Sequence, residues 1–344
     1  MKKLSKKNLN ALWEIINEEY NLFLPKKDRG ILKFKNFIEE GEVDLETLKT
    51  TVPLKNFVFP QNETYLKFKT KNKKIKFKVE GVSEEKYVIF GVRPCDIKSL
   101  EILDNIFLKE PVDTYYKAHR DRGIIISLAC NTIESSCFCE IFGIEPTSIF
   151  KSTDISLVDC GDFYYWNEVT EEGKILTEKL KNILENIEEV DKELHENRKE
   201  IIKKKSEENI LNSLEINKIG ELKEVFENEK VWKELSRRCL ACGSCTYVCP
   251  TCHCYDVKDY AGNNSGERFR CWDSCMYSEF TLMAHGNPRT TQMQRVRQRF
   301  MHKLVYYPNN HDGIYSCVGC GRCIEKCPVH IDIVKVIKKL AVNK

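Results

Sequence analysis

The chain has 344 residues, room for about two domains with a sizeable core. Its 55 basic residues nearly balance 52 acidic ones, which argues against a nucleic-acid binder, and a 42% hydrophobic content describes a globular chain. The outlier is cysteine, at 17; a disulfide-stapled secreted scaffold would be much shorter.

The basic start "MKKLSKKNLN" runs into "LWEIINEEY", not into the apolar run of a leader. "YVIFGV" and "GIIISLAC" are too short to span a bilayer. The expectation is a cytoplasmic protein with reduced thiols, no membrane span and no nucleic-acid partner. In that compartment clustered cysteines read as metal ligands before disulfides.

In chain order, residues 1–52 read as charged and helical, with Leu9, Leu12, Ile16 and Tyr20 near helical spacing. "LKFKTKNKKIKFKVE" alternates on both sides of "KNKK" and predicts a hairpin over 66–80. "KYVIFGV" and "GIIISLA" read as buried strands, and "DIKSLEILDNIF" between them as a helix carrying Ile97, Leu100, Leu103 and Phe107. Further strands are expected around 149–169. Leu176, Leu180, Ile183, Ile187, Val190 and Leu194 make a helical seam. One helix over 174–236 would reach about 95 Å, so two or three are expected, with a break near Gly220. Near Leu235 the cysteine-rich part begins. There "GNPRTTQMQRVRQRFMHKL" predicts a helix with Asn287 as cap, Pro288 in the first turn and a stripe of Met293, Val296, Phe300 and Leu304.

Two motifs carry the chemistry: "CLACGSCTYVCP" at 239–250 and "CVGCGRCIEKCP" at 317–328. Each places four cysteines at the same offsets and ends in proline, and Gly243 matches Gly321. A [4Fe–4S] cube takes four thiolates; three closely spaced cysteines wrap one corner of a loop and the fourth reaches the other cube. The assignment is therefore crossed. Cys239, Cys242 and Cys245 pair with Cys327, and Cys317, Cys320 and Cys323 pair with Cys249. Zinc also takes Cys-x2-Cys, but as separated pairs. Two [4Fe–4S] clusters are expected, in a C-terminal domain that reads as all-helical and ferredoxin-like.

Four more cysteines lie in the N-terminal part: Cys95, Cys130, Cys137 and Cys139. Cys95 and Cys130 end predicted strands, where open α/β sheets place ligands. A third cluster and inert burial both fit that spacing. Cys252, Cys254, Cys271 and Cys275 are open to the same two readings, a fourth metal site or packing. Cys160 reads as structural, and His253 and His330 as neighbours of ligands or surface groups. Clusters would turn the formal charge of +3 negative. "RTTQMQRVRQR", Arg237, Arg238 and Arg322 then read either as offsetting charge or as a solvated basic face.

"RCLACGSCTYVCPTCHCYDV", "RFRCWDSCMYSEF", "RQRFMHKLVYYP" and "CVGCGRCIEKCPVHIDI" resemble the iron–sulfur β subunit of cytoplasmic sulfhydrogenases, and are similar to the A subunit of anaerobic sulfite reductase. "GVRPCDIKSLEILDNIFL", "ACNTIESSCFC" and, more weakly, "PLKNFVFPQNE" resemble the same family. Cys95, Cys130, Cys137 and Cys139 fall on its pattern, which implies a third [4Fe–4S] cluster. Cys252, Cys254 and Cys275 fit it too, while Cys271 departs from it. The resemblance implies an electron relay. A partner carrying FAD would exchange hydride with NAD(P)H, and a nickel–iron hydrogenase or a sirohaem sulfite reductase would be the catalytic partner. It implies no catalytic residue in this chain.

Two other readings stand beside it. "VRPCDIKSL" faintly resembles a segment of deazaflavin-reducing hydrogenases, so the N-terminal part would bind flavin or deazaflavin itself, although no G-x-G-x-x-G is present. A redox sensor or assembly factor is the other. The expected fold is α+β: an α/β domain over 1–172, a charged helical connector over 173–234, and the all-helical two-cluster domain over 235–344.

Overall fold

The structure, a computed structural model, describes residues 1–72, 74–219 and 221–341. Among them run thirteen strands: β1 (Lys2–Ser5), β2 (Asn21–Asp28), β3 (Ile31–Asn36), β4 (Glu42–Val43), β5 (Asn62–Lys71), β6 (Lys74–Val79), β7 (Tyr87–Val92), β8 (Gly123–Leu128), β9 (Ile155–Asp159), β10 (Phe163–Glu168), β11 (Glu185–Asn186), β12 (Tyr255–Ala261) and β13 (Ser265–Trp272). Nine form one sheet, ordered β11-β1-β10-β9-β8-β7-β2-β3 with β4 also on β2. Its centre, β2-β7-β8-β9, is parallel.

The apolar runs of β7 and β8 follow from cover on both faces. Val88, Phe90, Ile124 and Ile126 pack with Leu12, Trp13 and Ile16 of the helix Leu9–Glu19 and with Leu176 of the helix Glu171–Lys179. The alternate residues Ile89 and Ile125 pack on Ile97, Leu100 and Leu103 of the helix Pro94–Phe107. Strand, helix and strand therefore place the ends of β7 and β8 together, with Cys95 and Cys130 just beyond them.

Residues 1–52 hold one α-helix, Leu9–Glu19, entered through the 3-10 turn Lys6–Asn8; β1 to β4 occupy much of the rest. Pro25 within β2 is accommodated against β3. The seam at 176–194 is not one helix. It divides between Glu171–Lys179 and Glu189–Glu207, with β11 between them extending the sheet edge through β1. Val190 and Leu194 face solvent. The expected break near Gly220 lies outside the described residues.

The expectation of an all-helical C-terminal domain is overturned, and with it the α+β class as drawn. Between the two motifs β12 and β13 form an antiparallel pair, and β13 pairs with β5 of the β5–β6 hairpin. One four-stranded sheet, β12-β13-β5-β6, is thus built from both ends of a mixed α/β chain. Its partner strands are far away in sequence, so only the alternation in "YDVKDYAGNNSGERFRCW" and its Asn–Asn turn marked it. Arg270, fully buried on β13, donates to Glu63 of β5 and to Asp113, each at 2.5 Å. Asp113 caps the helix Thr114–Asp121, and its His119 meets Glu63 at 2.6 Å.

The remaining core is helical. Val296, Phe300 and Met301 pack with Leu304, Ile333, Val336, Ile337 and Trp232. The helix Gln292–Met301 starts later than expected: Thr291 caps it in a reciprocal box with Gln294. Asn287 instead braces the preceding loop, accepting from the Arg289 N–H at 2.9 Å. A π-helical turn, His302–Tyr306, continues the helix. Among the described residues no helix is long and apolar enough to cross a membrane.

Candidate metal centre

The sequence repeat is also a conformational repeat. Ala241 and Gly319 occupy equivalent positions with φ of 57° and 60°, and Gly243 and Gly321 follow with 74° and 76°. Short helices, Ser244–Tyr247 and Arg322–Glu325, then leave each loop. Left-handed positions two residues apart fold each loop tightly, and paired left- and right-handed residues are the backbone form in which successive N–H groups face an anion such as a thiolate-bound cube. Glycine is required at Gly321 for a second reason: a Cβ there would stand 2.4 Å from the Ser136 carbonyl oxygen.

Cys239, Cys242, Cys245 and Cys327 line one pocket, closed by Met276, Val296, Phe300 and Ile331. The Cys239 sulfur accepts from Gln292 Nε2 at 3.1 Å, and the Cys327 sulfur from the Ile331 N–H at 3.2 Å. Cys242 is the exposed member; hydrogen bonding with Ser244 holds its thiol below the usual value. So the last cysteine of the second motif does stand with the first three of the first.

Cys249 is buried, hydrogen-bonds with the Cys252 thiol and Thr251, and lies near enough to the second loop for its charge to act on Cys317, Cys320 and Cys323. Burial pushes the Cys317 thiol up to about 12 and Cys320 up to about 11, and the charge of Cys249 adds to the rise at both. Cys323 rises for the same reasons, burial first. Lys303, 3% exposed on the π turn, donates to the Cys249 sulfur at 3.3 Å. Arg299 reaches between the loops, hydrogen-bonding with Cys323 and donating to the Cys245 carbonyl at 3.4 Å.

The N-terminal four also gather, and they gather against the second loop. Cys95 and Cys139 pack in one apolar cluster with Val318 and Cys320. Burial pushes Cys130 up to about 11, with Cys137 adding to it, and raises Cys139 further, with Cys130 and Cys137 contributing. The Phe138 N–H donates to the Gly319 carbonyl at 2.9 Å. Lys49 Nζ donates to Ser136 at 2.6 Å and pairs with Glu134 at 2.6 Å and with Glu325 of the second loop.

Among the described residues, no three His, Cys, Asp or Glu side chains close on a point that would hold a single ion. Four thiols spread around a cavity suit a polynuclear cube, whose irons are held at its corners. The residues present therefore fit the group. Of the basic residues weighed from sequence, Arg322 and Arg299 are buried beside the thiols, whereas Arg237 and Arg238 face solvent. Lys49, Lys55 and Lys303 were not legible as site residues, since nothing local distinguishes a buried lysine. Cys160 lies apart, near Asp159 and Arg198. Cys271 points away from its buried neighbours Arg270 and Trp272 on β13.

Residues 238–331 match the 4Fe-4S dicluster domain family. The chain is 31% identical to the sulfhydrogenase 2 β subunit of Pyrococcus furiosus, over 94% of this chain and 93% of that protein. This chain belongs to the sulfhydrogenase β-subunit family. It is thus an iron–sulfur protein with a 4Fe-4S dicluster domain, and the family expected from the cysteine-rich segments is the one found. No solved structure matches this β-subunit-like chain.

Proposed function

We propose that the chain is the electron-transfer subunit of a multisubunit cytoplasmic oxidoreductase. It passes single electrons between a flavin-bearing, NAD(P)H-linked subunit and a catalytic subunit, a nickel–iron hydrogenase or a sirohaem sulfite reductase. What supports this reading is the continuity of the thiols: Cys327 lines one pocket with Cys239, Cys242 and Cys245, Cys249 lies near the second loop, and a third set packs against Cys320.

Cys239, Cys242, Cys245 and Cys327 would hold one [4Fe–4S] cluster, Cys317, Cys320, Cys323 and Cys249 the second, and Cys95, Cys130, Cys137 and Cys139 a third. Each cluster, when bound, takes up and releases one electron at a time. The protein's own part is to exclude water and fix separations. Met276, Val296 and Phe300 cover the first loop, and Val318 and Ile144 the junction beyond Cys320. Lys303, Arg299 and Arg322 place buried positive charge where reduction would add negative charge.

The test is anaerobic purification of the full chain. Iron and acid-labile sulfide near about 8 or 12 per chain, without flavin, support the relay. The chain should then be reduced by NAD(P)H only when a flavin-bearing partner is added. Flavin retained by the isolated chain, or zinc in place of iron, overturns it.

A further inference from the structure

Of the 17 cysteines, all among the described residues, Cys242 alone is exposed. It lines the first-loop pocket together with Leu240, a large apolar side chain left 63% exposed. Arg237 and Arg238, just before the loop, face solvent. The other thiols sit deeper: Cys249 and Cys320 are buried, and the N-terminal four are half-buried. The first loop is therefore where the thiols come nearest to anything outside the chain.

A basic groove adjoins it. The groove holds about 410 Å³ between the helix Glu229–Ser236 and the helix Ile333–Ala341. The apolar stripe of the second helix turns into the core, which leaves its lysines outside. Arg238, Lys335, Lys338 and Lys339 line the groove, with Glu234 and Asp332 as its carboxylates. Lys335 pairs with Asp332 at 3.3 Å and Lys339 with Glu234 at 3.0 Å. Among the described residues Arg238 and Lys338 have no such partner, so four cations meet two carboxylates and positive charge is in excess. Ile331 is the shared wall. It lines both the groove and the first-loop pocket, and its N–H is the one on the Cys327 sulfur.

An exposed apolar residue rimmed by cations is the makeup of a docking surface, where charge steers the approach and apolar contact holds it. The cations stand on long side chains along a helix, not on the backbone amides of a phosphate loop, so they suit a broad acidic surface. We propose that this groove and the rim of the first loop dock an acidic redox protein, with electrons crossing at Cys242. The proposal rests on reading the first loop as a cluster site. In each encounter the first-loop site gives up one electron and the partner's flavin or iron–sulfur group takes up one, or the reverse; no bond forms or breaks.

The experiment uses the full chain, reconstituted anaerobically with iron and sulfide, and an acidic ferredoxin reduced with dithionite as the probe. Reoxidation of the ferredoxin is followed by stopped flow as salt is raised. The wild-type rate should fall by about tenfold from low to high salt. Arg238→Glu with Lys338→Glu should slow the low-salt reaction by about tenfold and flatten its salt dependence. Lys69→Glu with Lys76→Glu, the same charge change on the β5–β6 hairpin, should alter it by less than about twofold. Carbodiimide coupling of ferredoxin carboxylates, mapped by mass spectrometry, should mark Lys335 and Lys338. Equal slowing by the two double variants would leave only net charge at work and overturns the docking site. A shifted reduction potential with the salt dependence intact overturns it too, since the groove would then only balance charge. Coupling confined to other lysines, or block by micromolar pyrophosphate, which would mark a small-anion site, does the same. A chain that takes up no iron sinks the parent reading, while coupling at the groove lysines would still support the surface, so the two failures are separable.

Discussion

Arg322 and Asp96 form a two-pronged ion pair in the interior, with Nη1 donating to Oδ1 at 2.7 Å and Nη2 to Oδ2 at 2.6 Å. Each is 2% exposed or less. Arg322 lies between Cys320 and Cys323, and Asp96 follows Cys95, so one salt bridge ties the second motif to the N-terminal cysteines. Arg322 Nε also donates to the Thr50 carbonyl at 2.8 Å, drawing in the segment before β5.

Asp96→Asn would leave that guanidinium buried without its anion. The expected loss is about 3–5 kcal/mol of folding stability, read as a lower midpoint in denaturant. Replacing both partners with apolar residues of similar volume should cost less than Asp96→Asn alone. A double variant as unstable as the single would show that the charge balance is not what matters.

Cys327→Ser should remove the cluster assigned to Cys239, Cys242 and Cys245 and spare the one in its own motif. Iron should fall by about four atoms per chain, and spectra of the reduced protein should lose the component that Cys242→Ser also removes. Loss of the component shared with Cys320→Ser instead would refute the exchange.

Lys303→Gln removes a positive charge 3.3 Å from the Cys249 sulfur. Adding an electron nearby then becomes less favourable. One reduction potential should become more negative by roughly tens of millivolts, in a redox titration followed by EPR. Lys303→Arg should restore most of the shift.

Acid should loosen the clamp on the four-stranded sheet. Burial alone would raise the Glu63 carboxyl, but its hydrogen bond with His119 and the charge of Arg270 outweigh that and hold it below the usual value. A depressed carboxylate contributes stability that is complete above its unfolded value, about 4.3, and is lost as pH falls through the folded one. Stability should therefore decline from about pH 4.5 downward, and Glu63→Gln should flatten that decline. Equal slopes in denaturation midpoints across that range would contradict it.

Local chemistry was legible in the sequence; distant pairing was not. The offsets of Cys239 to Cys249 and Cys317 to Cys327 state a loop geometry in a dozen residues each. The runs of β7 and β8 read as buried strands because they are apolar on both faces. The pairing of β13 with β5 leaves no such mark, because each strand alone shows only an alternating pattern. Lys55, Lys303 and Lys49 were silent because burial is decided by the fold, not by neighbours in sequence. Asp96 and Arg322 are ordinary residues until 226 positions of separation close.

The shared sheet also orders events during synthesis. The β5–β6 hairpin emerges early, but β13, whose Arg268 sits opposite Leu66, follows roughly 200 residues later. At ribosomal speed that is a wait of roughly 10–40 s, with an edge strand uncovered. Cys327, which the crossed assignment proposed above gives to the first loop, comes later still. On that assignment the first set of thiols stays incomplete until the second motif has been made, so its loading with metal would wait for both motifs.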